Sequence, residues 1–190
     1  MNINNFFDKK IVVVISHQDD ETLFCGGLLS EISNDNDITI VCVSKPYPNR
    51  PDTFTREQSL QNVCNHLHAK YIQLDFEDYG PENYPQNDFT IVRKKLHTLL
   101  VDLDPDVVIT HNNVGEYGHV YHKFVHDIIV SIWRKPIIVF GIGLKSYDFE
   151  IHYNILNKKT LFDFYMPQWN GPKIYSFALE PEKYKTIKNG

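Results

Sequence analysis

The stretch Ile11-Val12-Val13-Val14-Ile15-Ser16-His17-Gln18-Asp19-Asp20-Glu21-Thr22-Leu23 decides the fold. Ile11–Ile15 is a continuous β-branched run without polar alternation, which predicts a strand buried on both faces, as in a parallel sheet covered by helices. The acidic residues that follow favour the start of a helix through capping and the macrodipole, and the apolar stretch Leu23–Ile32 continues that helix. Gly26-Gly27 lies inside it, where glycine weakens a helix, so the pair is expected to permit close packing on the sheet.

The same alternation recurs downstream. After the turn Asn34–Asp37, Ile38–Val43 predicts a second strand, and the three prolines of Lys45–Pro51 leave only a loop. Thr53–His68 has helical periodicity in Phe54, Leu60, Val63, Cys64 and Leu67, and Tyr71–Leu74 is a short strand. A polar loop, Asp75–Asp88, precedes the helix Phe89–Leu103, which stops before Pro105; Val107–Thr110 is the next strand. His111–Gly118 is a loop, His119–Trp133 a helix and Ile137–Ile142 a further buried strand. Beyond Lys145 the pattern weakens to a short helix around Ile155–Tyr165 and a strand or coil near Ile174–Leu179. There is no internal repeat and no linker, so residues 1–190 read as one α/β domain with a mostly parallel sheet and right-handed crossovers.

Composition sets the outer limits. A chain of 190 residues, 42% hydrophobic and 23% charged, is an ordinary globular one that needs no staple to hold a core. A net charge of −5 with no Lys/Arg block argues against nucleic acid or an anionic membrane surface as the main partner. Cys25, Cys42 and Cys64 are far apart and odd in number, the usage of a reducing compartment. With no signal-peptide pattern in Met1–Lys10 and no apolar run long enough to span a bilayer, the expected location is cytoplasmic.

Two polar clusters fall at the carboxyl ends of predicted strands, where open α/β sheets bind ligands. In the first, His17-Gln18-Asp19-Asp20-Glu21, adjacent carboxylates repel one another and a divalent cation would resolve the repulsion. His17 and Asp20 are placed to converge on one ion, leaving Asp19 to act on water; the bland alternative is an acidic helix cap beside a solvated histidine. In the second, Gly115-Glu116-Tyr117-Gly118-His119-Val120-Tyr121-His122, the residues His119, His122 and His126 share one helical face. Its bland alternative is a set of surface histidines. Joined, the clusters supply two histidines and one carboxylate with an open position, the donor set of a catalytic zinc.

His17-Gln18-Asp19-Asp20-Glu21 resembles the His-Pro-Asp-Asp-Glu motif of the zinc-dependent de-N-acetylases of the LmbE-like/PIG-L family, and the second cluster is similar to that family's motif ending in His-x-x-His. Weaker echoes are Arg56-Glu57 in the second long helix and Asp78-Tyr79-Gly80 after the third strand, so the resemblance covers about residues 10 to 130. It implies a Rossmann-like three-layer sandwich and a metal site of His17, Asp20 and His122. It further implies Asp19 as general base, His119 and Tyr117 as stabilisers of the oxyanion, and Arg56 and Asp78 as substrate-binding residues. The implied cofactor is Zn2+, although the Irving–Williams order admits another divalent transition metal. The implied substrate carries N-acetylglucosamine on inositol, malate, phosphatidylinositol or another aglycone, and the products are acetate and a free amino sugar. Gln18 stands where the family usually has proline, removing a restraint on the turn, and Ser59 stands near where an acidic residue often follows the helix arginine.

Other motifs are incomplete or absent. Gly141-Ile142-Gly143 follows a strand but lacks the rest of the dinucleotide fingerprint, and there is no Gly-x-Ser-x-Gly, P-loop or His-Glu-x-x-His. The competing readings are a non-catalytic sugar-binding relative of the same fold and, more remotely, a metal-dependent glycosyltransferase. His66, His68, His97 and His152 need no function, whereas His111 and His126 adjoin the expected site. The loops Lys45–Pro51 and Asp75–Asp88 are expected to frame the substrate pocket. The aromatic tail, Phe162, Phe164, Tyr165 and Trp169, reads as core or subunit contact, which leaves a homo-oligomer open.

Overall fold

The computed structural model describes residues 6–45, 53–78, 89–166 and 176–187. Strand β1 (Lys10–Ile15) leads into helix α1 (Asp20–Ile32), followed by β2 (Asp37–Ser44), α2 (Thr53–His66) and β3 (Lys70–Phe76). Then come α3 (Phe89–Leu103), β4 (Val107–Thr110), α4 (Val120–Ile132) and β5 (Ile137–Phe140), and lastly β6 (Phe149–Ile151), α5 (Ile155–Tyr165) and β7 (Glu182–Ile187). The strands form one sheet in the order β3-β2-β1-β4-β5-β7-β6. β1 to β5 are mutually parallel, while β7 runs antiparallel to both β5 and β6.

β1 is buried on both faces because its alternate side chains belong to different cores. Ile11, Val13 and Ile15 pack with residues of α1, α2 and α5, such as Leu28, Leu60 and Phe162. Val12 and Val14 pack on the other face with α3 and α4, through Val92, Leu96, Leu100 and Phe124. Each such side chain contributes about 1.5–3 kcal/mol when fully buried. The result is the expected three-layer α/β sandwich. No helix of the described residues is long and apolar enough to cross a membrane.

The tail departs from its expected pattern. Residues 174–175 lie outside the described residues and Ser176–Leu179 is a 3₁₀ turn; the strand of this region is β7. β6 was not expected either, and β5 ends at Phe140, two residues before the expected end. β7 escaped the hydrophobic pattern because its inward positions include a carboxylate: Glu182 and Tyr184 are the buried residues of Glu-Lys-Tyr-Lys-Thr-Ile.

That carboxylate repairs a break in α1. At Cys25 the backbone leaves the helical region (φ −144°, ψ 15°), so α1 is two helical pieces in sequence. The second piece begins with donors that need acceptors. Glu182 supplies them, accepting from the Gly27 and Leu28 N–H groups at 2.8 Å each. On the other side of the break, Lys158 Nζ donates to the Leu23 carbonyl at 3.1 Å and pairs with Glu182 at 2.5 Å, while the Tyr184 hydroxyl donates to Glu182 at 2.7 Å. The glycine pair thus serves a different packing from the expected contact with the sheet. A Cβ on Gly27 would lie 2.2 Å from the Tyr153 ring, and one on Gly26 would lie 3.3 Å from Leu161 of α5.

Candidate metal centre and active site

The strand order reverses about β1: β2 and β3 lie to one side, β4 and β5 to the other. The crevice at the carboxyl ends of β1 and β4 is therefore the switch point where α/β sheets bind ligands. Both sequence clusters open into it.

After β1 the chain turns sharply. The His17 N–H donates to Asp20 Oδ2 at 2.8 Å, and Asp19 is held at φ 118°. A non-glycine residue there stores about 1–3 kcal/mol of strain. Asp19 occupies the N-cap position of α1, yet its side chain makes no cap bond. Its carboxylate turns instead to Arg56, whose Nη2 donates to Asp19 Oδ2 at 2.6 Å and to the Gln18 carbonyl at 3.0 Å. The acidic-cap alternative does not describe this residue. Glu21 underpins the turn, accepting from the Asp19 N–H at 3.2 Å, the Thr22 hydroxyl at 2.7 Å and the Tyr165 hydroxyl at 2.7 Å. Gln18 replaces a proline's rigidity with hydrogen bonds, donating to the Ser44 carbonyl at 3.1 Å and to Gln73 Oε1 at 2.8 Å. Ser59 donates to the Phe164 carbonyl of α5 at 2.6 Å.

The second cluster is equally constrained. His119 is the N-cap of α4, its Nδ1 accepting from the Tyr121 N–H at 3.3 Å. The buried His122 directs Nδ1 at Glu116 Oε2, 2.6 Å away, and leaves Nε2 buried with no hydrogen-bond partner. His119, His122 and His111 form a stack, with ring centroids 4.5 and 3.9 Å apart. Tyr117 is 59% exposed and sets its ring edgewise to His122 at 5.4 Å. His126 is bonded through Nδ1 to the His111 carbonyl at 2.9 Å, a support for the end of β4 rather than a group facing the crevice.

Two triplets bring potential ligand atoms within 4.8 Å of one another: His17, His119 and His122, and Asp20, His111 and His122. Neither works intact. His111 Nε2 lies 3.0 Å from the Ser16 N–H and 3.3 Å from Asp20 Oδ2. If neutral there, its lone pair is taken by Ser16; if protonated, it has no lone pair. His119 spends Nδ1 as a cap, so its neutral form carries hydrogen on Nε2. The remaining donors are His17 Nδ1, 3.6 Å from Asp20 Oδ2, and His122 Nε2, 3.4 Å from Asp20 Oδ1. Ligand atoms about 2.0–2.2 Å from a tetrahedral ion stand about 3.3–3.6 Å apart, so each pair has a suitable separation, but the two histidines face different oxygens of Asp20 and the expected set is not one of the two triplets. The orphaned His122 Nε2 is the clearest sign of fit, since a buried nitrogen without a partner is costly.

The electrostatics agree with a cation at this point. Burial alone would raise the Asp20 pKa, but His122 and His111 hold it well below the usual carboxylate range. Burial and His111 push His122 down to about 4, which keeps its imidazole neutral. An ionised carboxylate and a neutral imidazole are the forms a metal requires. Burial also depresses His17, but hydrogen bonds to Asp20 and Asp78 overcome this and raise it to about 9, so in the ion-free site His17 is an imidazolium that must lose a proton before it can ligate. Burial raises Asp19, opposed by the Arg56 charge, and burial together with His17 lowers His119.

Arg56 and Asp78, the expected substrate-binding pair, both reach the crevice but are committed to the site's own side chains. Arg56 holds Asp19, and Asp78 Oδ2 lies 2.9 Å from His17 Nε2. Tyr79, Gly80, Trp169 and most of the two expected pocket loops lie outside the described residues. The sequence reading gave no role to Glu116, whose carboxylate reaches two of the stacked imidazoles. The available signal was its place between two glycines just ahead of the paired histidines.

Sheet order and clustered donors define an α/β protein of the Rossmann-like kind with a candidate metal centre at its switch point. The chain belongs to the family described as PIG-L, GlcNAc-PI de-N-acetylase, which matches residues 12–133. It is 30% identical over 132 residues to uncharacterized protein L374 of Acanthamoeba polyphaga mimivirus, an alignment covering 64% of this chain and 56% of that protein. The chain therefore spans little more than half the length of that curated relative. Among solved structures it resembles the A40926 pseudoaglycone deacetylase Dbv21, with a TM-score of 0.75 at 17% identity, covering 95% of this chain and 98% of that one. It also resembles the N,N'-diacetylchitobiose deacetylase of Pyrococcus horikoshii, with a TM-score of 0.76 at 16% identity, covering 98% and 87%.

Proposed function

We propose that the protein is a zinc-dependent N-deacetylase that removes the acetyl group from an N-acetylglucosamine-type amino sugar or its conjugate. The observation that carries this reading is the pairing of a metal-ready set with a carboxylate that lies beside it but outside it. Asp19, strained and held by Arg56, directly precedes Asp20, whose carboxylate lies 3.6 Å from His17 and 3.4 Å from His122. The family's de-N-acetylase description and the deacetylases among its fold neighbours support it.

In this reading His17, the Asp20 carboxylate and His122 would hold the ion, and Asp78 would fix the tautomer of His17 from behind. The ion, when bound, supplies Lewis acidity, lowering the pKa of water in the site towards ~7 and polarising the acetyl carbonyl. Asp19 takes the attacking water's proton on its carboxylate and returns it to the leaving amine. Arg56 orients Asp19 and opposes the rise that burial gives its pKa; its other nitrogens are available to the substrate. His119, neutral with hydrogen on Nε2, donates to the oxygen that gains charge as the amide carbon becomes tetrahedral. The Tyr117 hydroxyl offers a second donor there. One well-placed donor is worth about 3–4 kcal/mol in such a site. The three free, buried cysteines support action in a reducing, cytoplasmic setting.

The test is incubation of zinc-loaded protein with a panel of N-acetylhexosaminides and their glycosides, assayed for acetate and free amine. Equal release of both products is expected. Stoichiometric zinc without amine from any member of the panel would count against the deacetylase and favour a non-catalytic sugar-binding relative.

A further inference from the structure

Four buried side chains close into a ring behind the metal-ready face. Asp20 Oδ1 faces His122 Nε2 at 3.4 Å, and Asp20 Oδ2 faces His111 Nε2 at 3.3 Å. At the opposite edge of the same two imidazoles, Glu116 Oε2 meets His122 Nδ1 at 2.6 Å and His111 Nδ1 at 3.0 Å. The rings lie nearly parallel, 21° apart, so both Nδ1 atoms fall on the one carboxylate oxygen. An acceptor-only group between two imidazoles requires hydrogen on each Nδ1. For His122 this fixes Nε2 as the bare nitrogen, and that is the buried atom without a partner.

Considerable local structure holds Glu116 in place. Its backbone sits at φ 58°, in the left-handed region that a non-glycine residue enters at a cost of about 1–2 kcal/mol. Asn112 holds it there. The Asn112 N–H donates to Glu116 Oε1 at 2.9 Å, and Asn112 Oδ1 accepts from the Glu116 N–H at 3.2 Å and the Val114 N–H at 2.9 Å. Asn112 Nδ2 anchors the assembly to the end of β5, donating to the Phe140 carbonyl at 2.8 Å and the Ile142 carbonyl at 2.7 Å. Gly143, at φ 77°, closes the far side: a Cβ there would lie 2.1 Å from the Glu116 carbonyl oxygen.

We propose that Glu116 is the positioning residue of the metal centre, clamping His111 and His122 together and presenting His122 Nε2 unprotonated to the ion. The proposal rests on the reading of His122 as a ligand, but its first test requires no metal. A glutamine cannot substitute for the carboxylate. With its oxygen towards Asn112, its NH2 opposes two imidazole N–H groups; flipped, its NH2 opposes the Asn112 N–H. Glu116→Gln should therefore release His122 from its tautomer and weaken metal binding by about 10–100-fold.

The experiment is 15N correlation spectroscopy of histidine-labelled, ion-free wild-type protein and of Glu116→Gln. Zn2+ affinity is measured by chelator competition, and circular dichroism checks that both proteins are folded. The expected result is hydrogen on Nδ1 of His122 in the wild type, its movement to Nε2 in the variant, and the stated loss of affinity. Hydrogen on Nε2 of His122 in the wild type overturns the proposal whether or not the variant folds. A folded variant with an unchanged tautomer and affinity overturns it as well. Failure of the wild type to bind Zn2+ at all, with the tautomer as expected, counts against the deacetylase reading and leaves the clamp standing.

Discussion

Removing Glu182 should cost far more stability than removing its partner Lys158, although both belong to one buried ion pair. The two residues face different surroundings. Without Lys158, as in Lys158→Met, the Glu182 carboxylate still accepts from Gly27, Leu28 and Tyr184, all within 2.8 Å. Without Glu182, as in Glu182→Leu, the Lys158 ammonium keeps only the Leu23 carbonyl as a hydrogen-bond acceptor, and the N–H groups that open the second piece of α1 lose theirs. Breaking a buried pair costs about 3–5 kcal/mol. Lys158→Met should fall at or below about 3 kcal/mol, because three donors remain on the carboxylate. Glu182→Leu should reach about 5 kcal/mol, because a stranded buried N–H alone costs about 1–3 kcal/mol. For a chain of this length about 1 kcal/mol moves Tm by about 2–4 °C, so losses of about 6–12 °C and 10–20 °C are expected. Urea and thermal unfolding, followed by circular dichroism at equal zinc saturation, measure both. Equal losses, or a larger loss from Lys158→Met, would refute the claim that Glu182 is the cap of a broken helix.

The remaining predictions concern the crevice. Asp19→Asn should keep zinc affinity within a few-fold while kcat falls by about 10²–10⁴, whereas Asp20→Asn should lose the metal; parallel titration and turnover assays separate them, and equal metal loss would reverse the assigned roles. His119→Ala should retain zinc and lower kcat by about 10²–10³ with KM little changed; zinc loss would make it a ligand. Gln18→Ala should destabilise by about 0.5–1.5 kcal/mol in urea unfolding, since the Ser44 carbonyl and Gln73 Oε1 each lose one donor but keep another, Gln73 Nε2 and the Tyr71 hydroxyl respectively. Gly143→Ala should cost at least about 2 kcal/mol by the same assay, because its φ of 77° and the nearby Glu116 carbonyl both reject a side chain.

Much of the frame could be read from residue order. Ile11–Ile15 states its own burial on both faces, and the polar clusters directly after Ile15 and Thr110 lie at strand ends where an α/β sheet places its chemistry. The five parallel strands follow from short continuous apolar runs and their helices from the 3.6 periodicity. β7 and the break in α1 did not show in this way, because neither is a local pattern. Glu182 reads as a surface charge until Gly27 and Leu28, about 155 residues earlier in sequence, are seen to need its carboxylate. Likewise Cys25-Gly26-Gly27 reads as a weak helix until the groups that compensate its break are in place.

The candidate site divides along the same line. The clusters around His17 and His122 stand out by residue type and spacing, whereas the choice of His17, Asp20 and His122 as the proposed donors came from the family resemblance. Their restraints do not stand out, because a carboxylate's task depends on what it faces. Asp19 and Asp20 are adjacent in sequence, yet one is turned to Arg56 and the other to His111 and His122. Asp78 and Glu116 would both pass for solvated acids, yet each meets the imidazole nitrogen pointing away from the proposed ion: Nε2 in His17 and Nδ1 in His122. The two histidines are thus held by opposite ring atoms, so their free nitrogens, Nδ1 and Nε2, turn towards the same carboxylate of Asp20. That handedness is set by which loop brings each acid alongside, and it emerges only when β3, β2, β1 and β4 have been laid side by side.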